Sequence, residues 1–501
     1  MKRPTVALLV SVVVAAATLL PIGILVVMGA GADVPFDARV AAVFLNTALL
    51  TGLTVAASVA VGVPLAFVTA YADLPLRGAW TALLAAPLAV PSYVGAFAWF
   101  AATGPGGELT AQTGLPVPAV HGLAGATLVM TLYTYPFVLL TTRAALRNLD
   151  ASLVDAARTL GLSLPGALVR VVLPRVANSI AAGALLVALY TLSDFGTPAI
   201  MRFDTFTRVI FVEYNAFGLD RAAVLSLYLL ALVAVVLFLE SRVGAVRETP
   251  GRRLVLPLGP GARSAAVAAI LAVAGAALAV PLAVFGLWLW RTGAGSFDMA
   301  YALNSAWASV LAAAAAGIAA LPVAVAAAGG GRVARTLERV TYVGFGVPGI
   351  VLGTALVVAG LYVDFLYQSL ALLVFAYAVR FLPLAVGNTR ATLERAGGNM
   401  VGAARSLGAT PFEAFRRVTL PLALPGIVAG AALVFLEVMR ELPATLLLRP
   451  TGFDTLATRL WRVYEAGHFG QGAVPATLLV LVSAVAVVVM LRGERDDAGP
   501  T

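Results

Sequence analysis

Long apolar runs follow one another along the whole chain and are separated by short polar connections. A helix of about 20 apolar residues crosses the hydrocarbon core of a bilayer. With 61% hydrophobic and only 11% charged residues, the 501-residue chain is far from the composition of a water-soluble domain. The sequence therefore predicts an all-α integral membrane protein.

Twelve such runs are present, six in each half of the chain, and we expect a transmembrane helix in each. An even number of spans places both termini on the same side of the membrane. The predicted spans, with ends accurate to a few residues, are 5–30, 45–71, 79–103, 123–142, 178–200, 223–240, 265–290, 304–328, 341–361, 370–388, 423–446 and 474–491.

The basic residues are distributed unequally between the two sets of connections. Of the 33 lysines and arginines, 23 lie at the termini and in the connections on the same side, and 8 lie in the opposite set. Cytoplasmic connections of membrane proteins carry such an excess, so we expect both termini and the long loops 143–177 and 389–422 to be cytoplasmic. Membrane insertion thus accounts for the net charge of +9, and we expect no binding to nucleic acid.

Composition excludes several classes of protein. Cysteine is absent, which excludes a disulfide framework and a thiolate metal site. Lysine occurs once, at Lys2, so the lysine that a phosphate-binding loop of an ATPase requires is missing. Any ATP hydrolysis coupled to this chain must occur on another polypeptide. The run from Thr5 to Met28 is longer than the apolar region of a signal peptide, so a retained first helix is expected.

The sequence contains an internal duplication. Asp155–Gly161 is followed after nine residues by Val171–Pro174, and the same spacing joins Gly402–Gly408 to Val418–Pro421, at an offset of 247. Further pairs at or near this offset are Pro136 with Pro383, Arg143 with Arg390, Asp194 with Glu441, Leu45–Thr47 with Leu303–Ser305, Val90–Pro91 with Val347–Pro348, and Phe203–Thr205 with Phe453–Thr455. A repeat of this extent indicates two tandem copies of one unit.

Each copy holds six predicted spans, so the copies share one orientation and are related by a pseudo-twofold axis along the membrane normal. We expect a first six-helix half at 1–241, a cytoplasmic linker at 242–264 and a second six-helix half at 265–501. The predicted outer connections are too short to form a domain. A module that captures solute outside the cell is therefore expected to be a separate protein.

The duplicated cytoplasmic loop has the sequence of two short helices that meet at a turn. In the second copy Thr410, Pro411 and Glu413 form the pattern of a capping box, which starts a helix. Gly408 is expected to end the helix before it. In the first copy Gly161 and Ser163 stand in the equivalent places.

This loop resembles the EAA loop of inner-membrane permeases of binding-protein-dependent ABC importers, written Glu-Ala-Ala, three residues, Gly, nine residues, Ile-x-Leu-Pro. The acidic position is Asp155 in the first copy but Gly402 in the second, which puts a charge contact there in doubt. In that family the loop couples the permease to its ATPase. The resemblance implies this role for Asp155, Ala156, Ala157, Gly161, Leu173, Pro174, Gly402, Ala403, Ala404, Gly408, Leu420 and Pro421.

The resemblance also implies a fold like that of type I ABC importer permeases and a location in the bacterial cytoplasmic (inner) membrane. The partners would be two ATP-binding cassette subunits, an extracytoplasmic solute-binding protein and membrane lipid. ATP and magnesium would bind to the ATPase partners, so no cofactor is expected on this chain. The chain itself would be a transporter subunit and not an enzyme.

Ionisable residues within membrane spans are costly and indicate function or a packed ion-pair network. The candidates for a translocation pathway or gate are Asp194, Glu437, Arg440, Glu441 and Arg380. Asp194 and Glu441 lie at one predicted depth, where they could form an acidic pair near the outer mouth for an entering cation. The alternative is that Glu437, Arg440 and Glu441 form an interhelical ion-pair network that locks packing or gates the helices. The sequence names no metal-binding residues.

Leu436–Thr445, Gly452–Ala457 and Ser193–Pro198 are similar to the fused permeases of ferric-iron importers. Fused permeases for thiamine and for phosphonates have a similar layout, so these solutes remain alternatives to ferric iron. A further alternative is an ion-coupled secondary transporter with twelve spans. That class needs a titratable site near mid-membrane, whereas the acidic residues here are predicted nearer the outer side. An integral-membrane enzyme lacks support, because no catalytic constellation is evident.

Overall fold

The computed structural model describes residues 5–32, 34–104, 106–216, 218–244, 252, 254–293, 297–395 and 399–496. Over these residues the chain is almost entirely helical, and an isolated parallel bridge joins Ala72 to Leu256. The predicted linker 242–264 and both termini lie partly outside the described residues.

Some helices of the first half begin at a side chain that bonds an amide of the first turn. Asp37, for example, accepts a hydrogen bond from the amide of Val40 (2.7 Å) and so caps the second helix. In chain order the helices are α1 (Thr5–Gly31), α2 (Ala38–Tyr71), α3 (Arg77–Ala85), α4 (Ser92–Thr103), α5 (Glu108–Thr113), α6 (Gly122–Arg147), α7 (Ser152–Thr159), α8 (Leu164–Ala167), α9 (Leu173–Ser193), α10 (Gly196–Ile200), α11 (Phe206–Asn215) and α12 (Leu219–Arg242).

The second half repeats this order of long and short helices, except that its described residues contain no counterpart of α5. Its helices are α13 (Pro260–Thr292), α14 (Ala300–Ala328), α15 (Arg332–Gly346), α16 (Gly349–Leu361), α17 (Leu370–Arg395), α18 (Asn399–Ser406), α19 (Pro411–Ala414), α20 (Leu420–Met439), α21 (Pro443–Leu448), α22 (Leu456–Glu465) and α23 (Ala473–Asp496). The all-α membrane fold predicted from the sequence is confirmed.

Nine helices of the described chain are long and apolar enough to cross a membrane, and eleven spans result if each of two bent pairs counts as one. The shorter apolar stretch Phe469–Val485 corresponds to the twelfth predicted span. The bent pairs correct the prediction of straight spans at 79–103 and 341–361. They join Arg77–Ala89 to Ser92–Thr113 with a bend of 87°, and Arg332–Gly346 to Gly349–Leu361 with a bend of 100°.

The bends occur at the duplicated Val-Pro pair. Val90 and Val347 are extended, with ψ of 114° and 121°. The residue before proline is disfavoured in helical conformation, and proline itself has no amide hydrogen to continue the helix. The predicted spans 178–200 and 423–446 are interrupted as well, because α9 ends at Ser193 and α20 at Met439.

One compact unit consists of residues 1–35, 209–230 and 296–467. Within it α14, α17 and α20 pack on one another, α1 packs against α14 and α15, and α16 packs on α21. Because α1 belongs to the first half of the sequence, this unit does not coincide with a sequence half.

The other compact unit consists of residues 36–208, 231–295 and 468–501. Here α2, α6 and α9 pack on one another, α13 packs on α4, and α23 packs on the 3-10 turn Ala86–Ala89. Each unit therefore joins three long helices of one half to the first helix of the other half. The sequence boundaries 1–241, 242–264 and 265–501 remain a prediction.

Two glycines at offset 247 permit close helix crossings in the two units. A Cβ atom on Gly183 of α9 would lie 2.7 Å from the Cα of Val138 in α6. One on Gly430 of α20 would lie 2.7 Å from the Cα of Ala385 in α17. Since side-chain carbons are not found so close to backbone atoms, these crossings require glycine.

We predict that Gly430→Ala destabilises the α17–α20 crossing by about 1–3 kcal/mol, because the backbone of α17 cannot rotate away from the added methyl group. The matched control is Gly275→Ala in α13, where an added Cβ meets nothing within 4 Å. There alanine is expected to leave stability unchanged or raise it, by up to about 1 kcal/mol. Thermal unfolding of the purified chain in detergent measures both effects, and equal melting temperatures would contradict the prediction.

Candidate functional site

The first duplicated loop consists of α7 and α8, joined by a turn at Gly161. Gly161 has φ of +90°, a conformation that glycine adopts without strain. The Asp150 carboxylate accepts from the amide of Ser152 (2.9 Å), and the Ser163 hydroxyl accepts from the amide of Gly166 (3.3 Å). The Ser163 hydroxyl thus caps α8, at the position that the sequence analysis makes equivalent to the start of the second short helix.

The second loop repeats this geometry with α18 and α19. Gly408 has φ of +89°. The Glu413 amide donates to the Thr410 hydroxyl (3.3 Å), and the Thr410 amide donates to the Glu413 carboxylate (2.9 Å). The predicted capping box and the predicted glycine turn are therefore confirmed.

The tips of both loops present a large apolar side chain to solvent. Leu160 is 86% exposed and Leu407 is 89% exposed, and the two occupy equivalent positions immediately before the turn glycine. Among the residues predicted for coupling, Ala157 is buried and Ala404 half-buried, so these two face the loop interior. The exposed members are Ala156, Gly161, Pro174, Gly402, Ala403, Gly408 and Pro421, with Asp155, Leu173 and Leu420 half-buried.

Each loop returns to a long helix through a π-helical turn. These turns are Leu168–Val172, before α9, and Phe415–Thr419, before α20. Pro174 and Pro421 lie in the first turn of the following helix, where a missing amide hydrogen costs nothing. Because the π turns also obey the offset of 247, the sequence duplication has produced a duplicated local structure.

Asp194 lies at the break between α9 and α10. Its carboxylate accepts from the amide of Thr197 (3.2 Å) and from the hydroxyl of the same residue (2.8 Å). Its carbonyl oxygen accepts from the Thr207 hydroxyl (2.8 Å). Asp194 therefore caps α10 and ties the break to the chain that follows.

Glu441 performs the equivalent task for α21. Its carboxylate accepts from the amides of Ala444 and Thr445 (both 3.0 Å), from the Thr445 hydroxyl (2.6 Å) and from Arg380 Nη1 (3.1 Å). The side chain is only 2% exposed. A carboxylate offers about four acceptor sites, so these four donors occupy it. The geometry favours the packing interpretation of Glu441 over an open cation site.

Glu437 and Arg440 pair with each other across three residues at the end of α20. In this part of the network, which was predicted to be interhelical, the ion pair joins residues three positions apart. The interhelical ion pair of Glu441 is with Arg380 of α17. Both members of the Glu437–Arg440 pair are half-buried, in contrast to the sealed Glu441.

Gly349, which the sequence analysis did not select, provides the space for the Arg380–Glu441 pair. A Cβ on Gly349 would overlap the Arg380 guanidinium and lie 2.6 Å from Glu441 Oε1. In the first copy Tyr133 replaces Arg380 at offset 247, and its hydroxyl donates to the carbonyl of Ala277 (2.9 Å). The equivalent positions thus hold a tyrosine hydroxyl in the first copy and the arginine of a buried ion pair in the second.

The structure also explains two repeated tripeptides whose role the sequence did not reveal. In the first copy the side-chain amide of Asn46 donates to the Asp204 carbonyl (3.1 Å), and the backbone amide of Phe206 donates to the Thr47 hydroxyl (3.0 Å). In the sequence alone, both motifs are only markers of the repeat. Together they fasten the loop after α10 to the beginning of α2.

The second copy contains the same fastening. The side-chain amide of Asn304 donates to the Asp454 carbonyl (3.0 Å), and the backbone amide of Leu456 donates to the Ser305 hydroxyl (2.8 Å). The Asp454 carboxylate pairs with Arg449 and Arg462. Within the described part of the chain, no group of three or more His, Cys, Asp or Glu side chains could hold a metal ion.

The sequence matches the family model described as "Binding-protein-dependent transport system inner membrane component" twice, over residues 62–246 and 318–493. The Fe(3+)-transport system permease protein FbpB 2 of Haemophilus influenzae is 30% identical over 477 residues, which is 91% of each chain. The molybdenum transport system permease protein ModB of Mycobacterium bovis is 34% identical over 155 residues, 31% of this chain and 57% of ModB. A Salmonella paratyphi A protein, provisionally named a 2-aminoethylphosphonate transport system permease, is 29% identical over 160 residues, 32% of this chain and 59% of its own.

We predict that Arg380→Met and Glu441→Gln each destabilise the chain by about 3–5 kcal/mol, because each leaves one member of a buried pair without its partner. The double variant is expected to lose less than the sum of the single losses, with a coupling energy of at least about 1 kcal/mol. Thermal unfolding in detergent measures the cycle.

The half-buried Glu437–Arg440 pair is the control. Its coupling is expected to stay within about 0–1 kcal/mol. Additive losses for Arg380 and Glu441 would contradict a packing role. A stable Glu441→Gln variant with impaired uptake would instead indicate that Glu441 takes part in transport.

Proposed function

Since the chain belongs to the family of inner membrane components of binding-protein-dependent transport systems, we propose that it is the permease subunit of an importer for ferric iron. In this proposal an extracytoplasmic binding protein delivers the solute, and two separate ATP-binding cassette subunits drive its movement. The observation that carries the proposal is that each family match contains one copy of the same folded loop, which the structure describes at residues 151–174 and 399–421.

The two loops are proposed to dock into the ATPase subunits. Leu160 and Leu407 lie outside the candidate membrane spans yet are largely exposed. Burying a leucine side chain stabilises an interface by about 1.5–3 kcal/mol, so these tips suit an apolar groove on a partner. ATP and magnesium belong to those partners, because this chain lacks the lysine of a phosphate-binding loop.

Each loop is continuous with a long helix that can transmit its movement. The π turn after the first loop leads into α9, which ends at the Asp194 cap. The second leads into α20, which ends near Glu441. Helices of this length span about 30 Å at 1.5 Å per residue. We therefore infer that displacement of a loop by its ATPase is carried along α9 or α20 to the short helices α10 and α21, as alternating access requires.

The proposal places both loops and both termini in the cytoplasm, on the basis of the excess of basic residues in these connections. Asp194, Glu437, Arg440, Glu441 and Arg380 remain the proposed candidates for lining or gating the pathway. For Glu441 and Arg380, the hydrogen bonds described above favour a gate held by packing. The chain itself would perform no covalent chemistry.

Ferric iron is proposed as cargo because the Fe(3+)-transport permease of Haemophilus influenzae aligns over 91% of both chains. The molybdenum and phosphonate permeases align over about a third of this chain. The extracytoplasmic binding protein captures the solute before the permease does. It therefore determines which solute is delivered to the permease. The substrate is therefore best tested with that protein present.

Replacing Leu160 and Leu407 together with glutamate is predicted to weaken association with the ATPase subunits by at least about tenfold, because charged side chains resist burial in an apolar groove. Leu115→Glu is the matched control. Leu115 is 65% exposed in the connection before α6, which is predicted to face outward. Co-purification of ATPase with each variant is the measurement. Unchanged recovery with the double variant would refute docking through these tips.

For the substrate, we expect proteoliposomes that hold this chain and its ATPase to accumulate ferric iron when its binding protein and ATP are supplied. Molybdate, 2-aminoethylphosphonate and thiamine serve as competing solutes in the same assay. If one of these solutes stimulated ATP hydrolysis and the iron-loaded binding protein did not, that solute, and not ferric iron, would be the substrate. Uptake that survives ATP depletion but collapses with an uncoupler would indicate a secondary transporter.

A further inference from the structure

The linker between the two halves contacts the first loop through Arg252 and the residues that follow from 254. The amide of Ala151, at the start of α7, donates to the carbonyl of Arg252 (2.8 Å). The Arg252 guanidinium pairs with the Asp155 carboxylate. A backbone bond and an ion pair thus join one linker residue to two residues of the loop.

Two linker leucines extend this contact into the interior. Leu254 is buried, and its cluster includes Val154 and Ala157 of α7 and Val172 of the π turn. Leu256 packs against the same cluster. Exposed ion pairs contribute little to stability, whereas a buried leucine contributes more. The leucines are therefore expected to hold the contact, and the Arg252–Asp155 pair to orient it.

The linker is anchored on its other side to the end of α2. The Leu256 amide donates to the Tyr71 carbonyl (2.8 Å), and the Asp73 amide donates to the Leu256 carbonyl (3.2 Å). The Asp73 carboxylate accepts from the amide of Leu258 (2.9 Å) and from Arg263 (2.7 Å). The Leu258 hydrogen bond, with a smaller contribution from Arg263, lowers the pKa of Asp73, so this anchor stays ionised at physiological pH.

We propose that residues 252 and 254–258 form a linker brace, which holds the first loop against the end of α2 and positions its tip for the ATPase. The positioning part rests on the coupling role proposed above, whereas the brace itself does not. Arg252, Leu254 and Leu256 are thus positioning residues.

The brace gives the acidic residue of the first loop an intramolecular role. Asp155 is bound by Arg252 of its own chain, whereas the equivalent residue of the second loop, Gly402, has no carboxylate and cannot form this pair. The carboxylate that the second loop lacks is thus the one that the brace uses in the first loop. Loss of the brace should affect the first loop and spare the second.

Hydrogen exchange of the purified full-length chain, without any ATPase, tests the brace directly. Leu254→Ser should raise the exchange rates of the Ala151 and Leu256 amides at least tenfold, because both amides bond across the linker contact. Exchange in 399–409 of the second loop should not change. Wild-type rates at Ala151 and Leu256 in the variant would overturn the proposal.

Reversing the charges of Asp155 and Arg252 gives a second test that leaves the buried leucines in place. Asp155→Arg should raise the exchange rate of Ala151, and the combination of Asp155→Arg with Arg252→Asp should restore it. Arg335→Ala, which removes an exposed arginine of α15, is the matched control and should have no effect. If the combined variant does not restore protection of the Ala151 amide, the Arg252–Asp155 pair does not contribute to the brace.

Cross-linking tests the positioning role, and the absence of native cysteine makes it specific. Single Leu160→Cys or Leu407→Cys variants are cross-linked to the ATPase, with and without Leu254→Ser. The brace predicts a several-fold loss at 160 and none at 407. Equal yields with and without Leu254→Ser at 160 would overturn the positioning role. If neither cysteine cross-links even with Leu254 intact, the coupling proposal fails, while the exchange data still decide the brace.

Discussion

Polar groups at a helix break must be bonded within the protein when the surrounding side chains are apolar and exclude water. In this chain two carboxylates meet that requirement, Asp194 after α9 and Glu441 after α20, by accepting hydrogen bonds from the next short helix. At two equivalent points where a long helix ends, a carboxylate therefore bonds amides of the short helix that follows. The loops that follow these breaks are fastened by the side-chain amides of Asn46 and Asn304.

Duplication has kept the backbone of the two copies more closely than their side chains. Gly161 and Gly408 have the same left-handed conformation, and the π turns before α9 and α20 are at equivalent positions. In contrast, Tyr133 of the first copy corresponds to Arg380 of the second, where Gly349 leaves room for its guanidinium. The loops and helix crossings accept few backbone alternatives, whereas a buried polar site can be satisfied by a hydroxyl or by an ion pair.

Features that depend on neighbouring residues were predictable from the sequence. The Thr410–Glu413 capping box and the turn at Gly408 were predicted and are present, because each involves residues only a few positions apart. The bend at Val347–Pro348 was not predicted, because the chain is equally apolar on both sides of it and hydropathy carries no information on direction. In the sequence, Val347–Pro348 stands out only as part of the repeat.

The sequence by itself determined the helical class, the membrane location, the duplication and the local form of both loops, since composition and short-range spacing are sufficient for these. Only the tertiary structure decided that Glu441 is sealed by Arg380, 61 residues away, and that the linker leucine Leu254 packs under the first loop. Apolar helices present similar side chains on every face, so the sequence does not indicate which faces meet. Contacts between distant segments are chosen by packing of the whole chain.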